Sequence, residues 1–375
     1  MVLYEKKLDY NNLLFASIGH IIGAGIFFII KYVYGYSKEK TWMSIFLGGL
    51  FMLIFGNIYA DLPKKYYNIH NIEHYIIEKQ AGTNISKLII LLSIIGLIFG
   101  GYIVGQSFSK YFSNMTNISE DISFLLLIGL CFLLNVNNID ILANINTLIT
   151  IIGIGILIFI ILVGFYKMII DKTTNFTKYY KFEDMKDFKL NIWNIIKGAY
   201  IIIFSYLGFE VLIRLNKESV NSFDDIPRSI KNSLYITILI YSLLGIVYAY
   251  SMNKKKSNNN NNNNNNIIPI TNSIEILLES SKYNNIINIA ACIFTANTVL
   301  LIIMGSARLL DGIINIDKEI NVPKKSIILI TLGILTLYFF RINIKKSIFI
   351  SNTFALLLFI SVIMSHKLNT FNSLA

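Results

Sequence analysis

Residues 18–28 read IGHIIGAGIFF, that is Ile18, Gly19, His20, Ile21, Ile22, Gly23, Ala24, Gly25, Ile26, Phe27 and Phe28. Three glycines and a histidine interrupt the first apolar segment of the chain. Glycine costs about 1 kcal/mol against alanine in a helix interior, and a histidine in lipid costs more. Gly23-Ala24-Gly25 removes side-chain bulk and lowers the cost of non-helical backbone. Unwound backbone at membrane depth survives only where protein or a water-lined cavity satisfies its polar groups. A helix broken here offers free N–H groups at the start of its outer half, which attract a carboxylate. The carbonyls ending its inner half accept from an ammonium, so the two ends together suit the zwitterion of an amino acid. Taken alone, the same small residues read more readily as a close helix-packing surface.

A second interrupted segment tips that balance. Residues 198–210 read GAYIIIFSYLGFE, an apolar run broken by Ser205, Gly208 and Glu210. Paired broken segments in corresponding positions of two halves point to a transporter site. The hydropathy pattern gives ten spans, at about 12–30, 42–60, 87–108, 123–138, 144–166, 194–213, 230–250, 285–307, 325–340 and 347–365, the fourth and ninth short. The broken segments open two groups of five, so span order predicts an all-α integral membrane fold. It forms a single transmembrane domain, a 5+5 inverted repeat with helices 1 and 6 broken, repeat one over about 12–166 and repeat two over about 194–365.

Composition supports the membrane class. Hydrophobic residues make up 54% of the 375 and charged residues 15%, with a mean hydropathy of +0.59. Soluble domains carry about 25% charged residues. The formal charge of +11 does not indicate nucleic acid, because the lysines lie in loops between apolar segments, where they anchor at the interface and meet anionic headgroups. Cys131 and Cys292 lie far apart in apolar stretches and predict buried thiols rather than a disulfide or ligand pair. The polar start MVLYEKKLDYNN runs straight into a span and predicts no cleavable signal peptide.

The loops add less. Residues 167–193 predict a long amphipathic connection. Residues 252–272, with Lys254–Lys256 and the run Asn258–Asn266, predict a disordered asparagine-rich loop. Loop Lys and Arg are nearly balanced between the two sides, so charge leaves orientation open. Trp42 and Trp193 fall at one interface, opposite the N-terminus, and so do the sequons at Asn114, Asn117 and Asn175.

Three stretches carry a family resemblance. Ile22-Gly23-Ala24-Gly25-Ile26-Phe27 resembles the first-span motif G-[SA]-G-I-F of the amino acid–polyamine–organocation permeases. Phe204 to Ile230, FSYLGFEVLIRLNKESVNSFDDIPRSI, resembles their sixth span and its acidic loop, and Asp225-Ile226-Pro227-Arg228 matches the loop's ending residue by residue. Asn297 to Asp311, NTVLLIIMGSARLLD, is similar to their eighth span. Family members usually have twelve spans, whereas this pattern gives the ten of the core repeat.

The resemblance implies a secondary transporter of amino acids or related amines, working by antiport or symport, with both termini cytoplasmic. Substrate would lie between spans 1, 3, 6, 8 and 10. By the same carry-over, backbone around Gly23, Ala24, Gly25 and Ile26 holds the substrate carboxylate. Carbonyls near Ile22 and along Phe204, Ser205, Tyr206 and Leu207, before Gly208, hold its amine. Phe204 stands where family antiporters place an aromatic lid, and its face also attracts a cationic head.

His20 either carries a coupling proton or satisfies a packing hydrogen bond. Glu210 either serves coupling or gating or forms an ion pair with Arg214, four residues on. Arg308 reads as a cap on the cytoplasmic end of the eighth span. Some proton-coupled members carry a fifth-span lysine; here NINTLITIIGIGILIFIILVG has no basic residue before Lys167, so protons on His20 or Glu210, a counter-substrate and facilitated diffusion all stay open. His70 and His74, four apart with Glu73 between them, resemble part of a metal pair but have no third ligand nearby and predict a solvated or interfacial amphipathic helix rather than a metal site; no cofactor is expected. A non-transporting permease relative and an integral-membrane transferase are the competing classes, the latter short of clustered acid–base residues. Substrate side chain and oligomeric state are not legible at this level.

Overall fold

The computed structural model describes residues 8–23, 25–66, 69, 71–136, 140–171, 185–216, 218–258, 273, 275, 277, 284–314 and 323–372. Ala24, His70, Asn175, most of the connection after Ile170 and the asparagine run beyond Asn258 lie outside these residues.

The apolar runs fold as helices, as backbone in lipid must. They are α1 (Tyr10–Gly23), α2 (Ile26–Ser37), α3 (Thr41–Lys65), α4 (Ile72–Ala81), α5 (Thr83–Thr116), α6 (Glu120–Val136) and α7 (Asp140–Ile170). The second half continues with α8 (Met185–Tyr206), α9 (Val211–Arg214), α10 (Asp225–Asn258), α11 (Asn284–Ile314), α12 (Lys324–Phe339) and α13 (Ile344–Asn372). A 3-10 turn at Lys38–Lys40 joins α2 to α3. Leu8 and Ser219 form an isolated bridge, the one strand-type pairing among the described residues. Among the described residues, seven helical stretches are long and apolar enough to cross a membrane by length and composition. Their outer faces stay apolar: Leu88, Leu162, Leu239 and Phe349 are all more than half exposed, as lipid-facing residues are.

Local signals set the boundaries. Asn71 caps α4 by accepting from the His74 amide at 3.3 Å. Gly82, at φ +83°, makes the turn into α5. Asn117 closes α5 in the left-handed conformation. Pro227 is tolerated in the first turn of α10, where its missing N–H costs nothing.

Helix α5 forms the centre, packed on α11, α13, α6 and α4, while α1 lies against α10, α7 and α11. Both α2 and α3 pack on α8, and α3 packs on α10. The end carrying the N-terminus is tied by Leu8 to the segment after α9 and by Tyr66 to His366. At the opposite end the Tyr102 hydroxyl donates to the Ile342 carbonyl at 2.7 Å. Cys131 and Cys292 are buried free thiols.

One expectation is overturned here. Helix α4, read from HNIEH as solvated or interfacial, is wedged between α5 and α13, with Glu73 1% and His74 4% exposed. Burial is tolerable because Glu73 and the Nδ1 of His74 find partners, while His74 Nε2 is buried with none among the described residues. The Ser86 hydroxyl shares a 2.8 Å hydrogen bond with His74 Nδ1, and Glu73 meets an arginine from α9.

Candidate functional site

The two interruptions face each other in the middle of the bundle. Helix α1 ends at Gly23 and α2 starts at Ile26, with Gly25 between them in extended backbone. A Cβ on Gly25 would stand 3.1 Å from both Phe204 Cδ1 and Ser205 Oγ of α8. The relation is reciprocal, since a Cβ on Gly208 would stand 2.9 Å from Cγ of His20. Gly208 sits at φ +132°, a conformation that a side chain would strain. Each break thus uses a glycine to admit side chains of the other.

The second break lies slightly later than the sequence suggested. Phe204, Ser205 and Tyr206 still belong to the last turn of α8, and the chain leaves helical geometry over 207–210. The Phe204 and Ser205 carbonyls are already engaged, by the Leu207 amide and the Tyr241 hydroxyl, each at 3.4 Å.

Hydroxyl groups from neighbouring helices close part of the first break. Tyr241 of α10 donates to the Ile21 carbonyl at 2.8 Å, and Thr298 of α11 to the His20 carbonyl at 3.3 Å. Tyr111 of α5 donates to the Phe27 carbonyl at 2.6 Å. Among the described residues, the carbonyls of Ile22, Gly23, Tyr206 and Leu207 accept no hydrogen bond, and the Ile26 and Phe27 amides that open α2 donate none. Ser205 Oγ and His20 Nδ1 are likewise buried without a partner.

The named side chains divide between two places. Phe204 is 2% exposed, and its ring reaches towards Gly25 on one side and Gly100 of α5 on the other. Tyr206 points elsewhere, donating to the Ile45 carbonyl of α3 at 3.1 Å. Leu207 and Glu210 line a small cavity on the N-terminal side of the break, with Arg214, Ser93 and Gly96 of α5 and Ser351 of α13.

Charges in that cavity pair differently from the sequence reading. Arg214 holds Glu73 with two hydrogen bonds, Nε to Oε2 at 2.9 Å and Nη2 to Oε1 at 3.2 Å, and Tyr59 donates to the same carboxylate at 3.4 Å. Glu210 instead turns back and accepts from the Gly208 amide at 2.7 Å. The i,i+4 geometry behind the Glu210–Arg214 pair requires a continuous helix, and α9 starts only at Val211. Arg214 Nη1 remains buried and unpartnered. Tyr59, Tyr241 and Thr298 are the residues that sequence reasoning missed, and Glu73 is the one it placed on a solvated or interfacial helix. The lone arginine in an apolar run was the available signal, since it demands a buried carboxylate.

At the N-terminal end Arg308 does more than cap α11. It pairs with Glu218 at 2.7 Å. The Glu218 backbone in turn pairs with Leu8, Leu8 N to Glu218 O at 3.0 Å, and Val220 N bonds back to Leu8 O at 2.9 Å. Burial pushes the Glu218 carboxyl up, and the Arg308 guanidinium opposes that shift. Arg228 lies over the Tyr10 ring at 5.0 Å. This clasp closes the bundle below the breaks. Among the described residues, no three His, Cys, Asp or Glu side chains are placed to hold a metal.

Comparison with known proteins agrees with this geometry. A nucleobase-cation-symport-1 family transporter, solved closed with bromovinylhydantoin bound, matches with TM-score 0.63 at 11% identity, over 95% of this chain and 76% of that one. A Na+-coupled sialic acid symporter in a substrate-bound outward-open state matches with TM-score 0.58 at 12% identity, over 96% and 76%. The Eremococcus coleocola manganese transporter, in complex with an aromatic bis-isothiourea substituted compound, gives 0.56 at 10% identity, over 94% and 78%. No curated protein sequence matches the chain. The amino acid permease profile matches residues 8–364, nearly the whole chain. An apolar helical bundle with two helices broken face to face, matched over that length, belongs to the amino acid permease family and is a multi-pass membrane transporter, not an enzyme.

Proposed function

We propose that the chain moves amino acids or related amines across a membrane by alternating access, as an exchanger or a proton-coupled carrier. The observation that carries this reading is the meeting of the two breaks, which among the described residues leaves backbone donors and acceptors unpaired around Phe204. The carboxylate of a zwitterion is held by the amides after Gly25, at Ile26 and Phe27. Its ammonium is held by the carbonyls of Ile22, Gly23, Tyr206 and Leu207, with Ser205 Oγ in reach. Ala24, which lies outside the described residues, is counted with the carboxylate-binding positions on its place in the sequence motif alone. Phe204 covers the bound molecule, and Gly208 gives the second break its shape. His20 or Glu210 carries the coupling proton where the carrier is proton-driven; a counter-substrate replaces it where it exchanges. Ten spans in two inverted repeats, with both termini cytoplasmic, fit this working cycle.

The test is exchange of labelled amino acids by the purified full chain in proteoliposomes. Gly25→Leu drives a side chain into Phe204 and Ser205 and abolishes exchange. Gly129→Leu, at a lipid-facing glycine with open space around it, leaves exchange intact. Absence of exchange across a broad panel by a folded wild-type sample would refute the reading.

A further inference from the structure

Three lysines converge on two aromatic rings at the end of the bundle opposite the N-terminus. The Lys31 ammonium lies 4.3 Å from the Phe28 ring centroid and 5.1 Å from that of Tyr32. Lys110 of α5 approaches the same Phe28 ring at 5.4 Å, and Lys345 of α13 approaches Tyr32 at 5.9 Å. Among the described residues none of the three has a carboxylate within ion-pair distance. Ring faces attract cations, but they do not cancel charge, so three like charges gathered from three helices remain uncompensated.

Their position matters. Phe28, Lys31 and Tyr32 share one face of α2, at i, i+3 and i+4. At 1.5 Å per residue, Lys31 stands about 6–8 Å beyond the open Ile26 and Phe27 amides. A lysine that anchors in headgroups stretches away from the protein to reach them. Lys31 and Lys110 do the reverse: both are partly buried and lean on one ring, Phe28, which is 3% exposed. Lys345 is exposed at the rim.

We propose that this cluster receives a second carboxylate, that of the substrate's side chain, and so makes acidic amino acids the preferred substrates. The inference rests on reading the breaks as a zwitterion cradle. One carboxylate occupies the α2 amides, while the other reaches Lys31 and Lys110. Lys345 draws the anion in from solvent, an attraction that weakens as salt rises.

The experiment measures binding by the full chain in neutral-lipid nanodiscs, with calorimetry and thermal shift as readouts. The probes are glutamate, glutamine, inorganic phosphate and added phosphatidylglycerol. Glutamate should bind at least about tenfold more tightly than glutamine, a gap of about 1.4 kcal/mol. That ratio should fall towards one in Lys31→Gln and in Lys110→Gln and persist in Lys31→Arg, which reports on folding as well as charge. Equal wild-type affinity for glutamate and glutamine overturns the inference while leaving the transport reading intact. A ratio that survives both glutamine substitutions also overturns it. So does a lysine-dependent thermal shift given by phosphate or phosphatidylglycerol but not by glutamate, which would assign the cluster to a free anion or a headgroup. Failure of every amino acid to bind overturns this inference and the cradle together.

Discussion

Arg214 and Glu73 form a pair 5% and 1% exposed at their side chains, a depth at which charge is expensive unless neutralised. Removing one member of such a pair leaves the other buried and uncompensated, at about 3–5 kcal/mol. Glu73→Gln is therefore expected to lower the unfolding free energy by about that amount, and Arg214→Met by a similar amount. The double variant Glu73→Leu/Arg214→Met, which removes both charges, should recover most of the loss. Denaturant unfolding in detergent, analysed as a double-mutant cycle, checks this; purely additive losses would show that the two side chains do not depend on each other. The same pair marks a limit of sequence reasoning at this scale. Arg214 announces that a buried carboxylate is needed, but its partner lies 141 residues away. Nothing in HNIEH distinguishes a packed helix from a solvated one. Local spacing offered Glu210, and the break in the chain disqualified it.

Elements were more legible than partners, because glycine answers a backbone demand that is visible in the sequence itself. Gly23, Gly25 and Gly208 mark where α1, α2 and α8 end or begin. Phe204, Ser205 and Tyr206 were not legible as helical, since their aromatic and small side chains carry no signal for the last turn. What holds the broken ends apart from each other was also hidden. Tyr241 comes from α10, yet its one hydroxyl reaches the Ile21 carbonyl of the first break and the Ser205 carbonyl of the second. Tyr241→Phe keeps the ring and removes that tie. It should cost about 1 kcal/mol, the usual net worth of one hydrogen bond. It should also raise amide hydrogen exchange in both α1 and α8, because the two share the same donor. A change in one helix alone would show that Tyr241 serves only that helix.

For the whole molecule, class and family were legible from apolar run length and from three ordered motifs, whereas the closure of one end was not. That closure joins Leu8, Glu218 and Arg308, three points distant in sequence whose pairing depends on how the helices pack. Removing Arg308 leaves the Glu218 carboxylate buried without its counter-charge, so Arg308→Gln should open the N-terminal end. Cysteine accessibility reads this directly, in a background with Cys131 and Cys292 replaced and Ala355→Cys placed in the cavity below the second break. At about pH 8, labelling by an impermeant maleimide should rise roughly tenfold in Arg308→Gln, given about 1.5–3 kcal/mol for a hydrogen bond to a charged group. The pH sign follows from the raised carboxyl of Glu218. A carboxyl that holds its proton more tightly in the closed state favours closure when protonated. Closure is therefore strengthened as pH falls towards the ordinary carboxylate range, about 4.3, and weakened as pH rises through the raised value. In Arg308→Gln, which lacks the opposing guanidinium, that dependence should steepen, and labelling at about pH 5 should fall back towards the wild-type rate. The reversed pair Glu218→Arg/Arg308→Glu should restore protection at about pH 8. Labelling of Arg308→Gln at the wild-type rate across this range would show that the Leu8 pairing closes the end unaided.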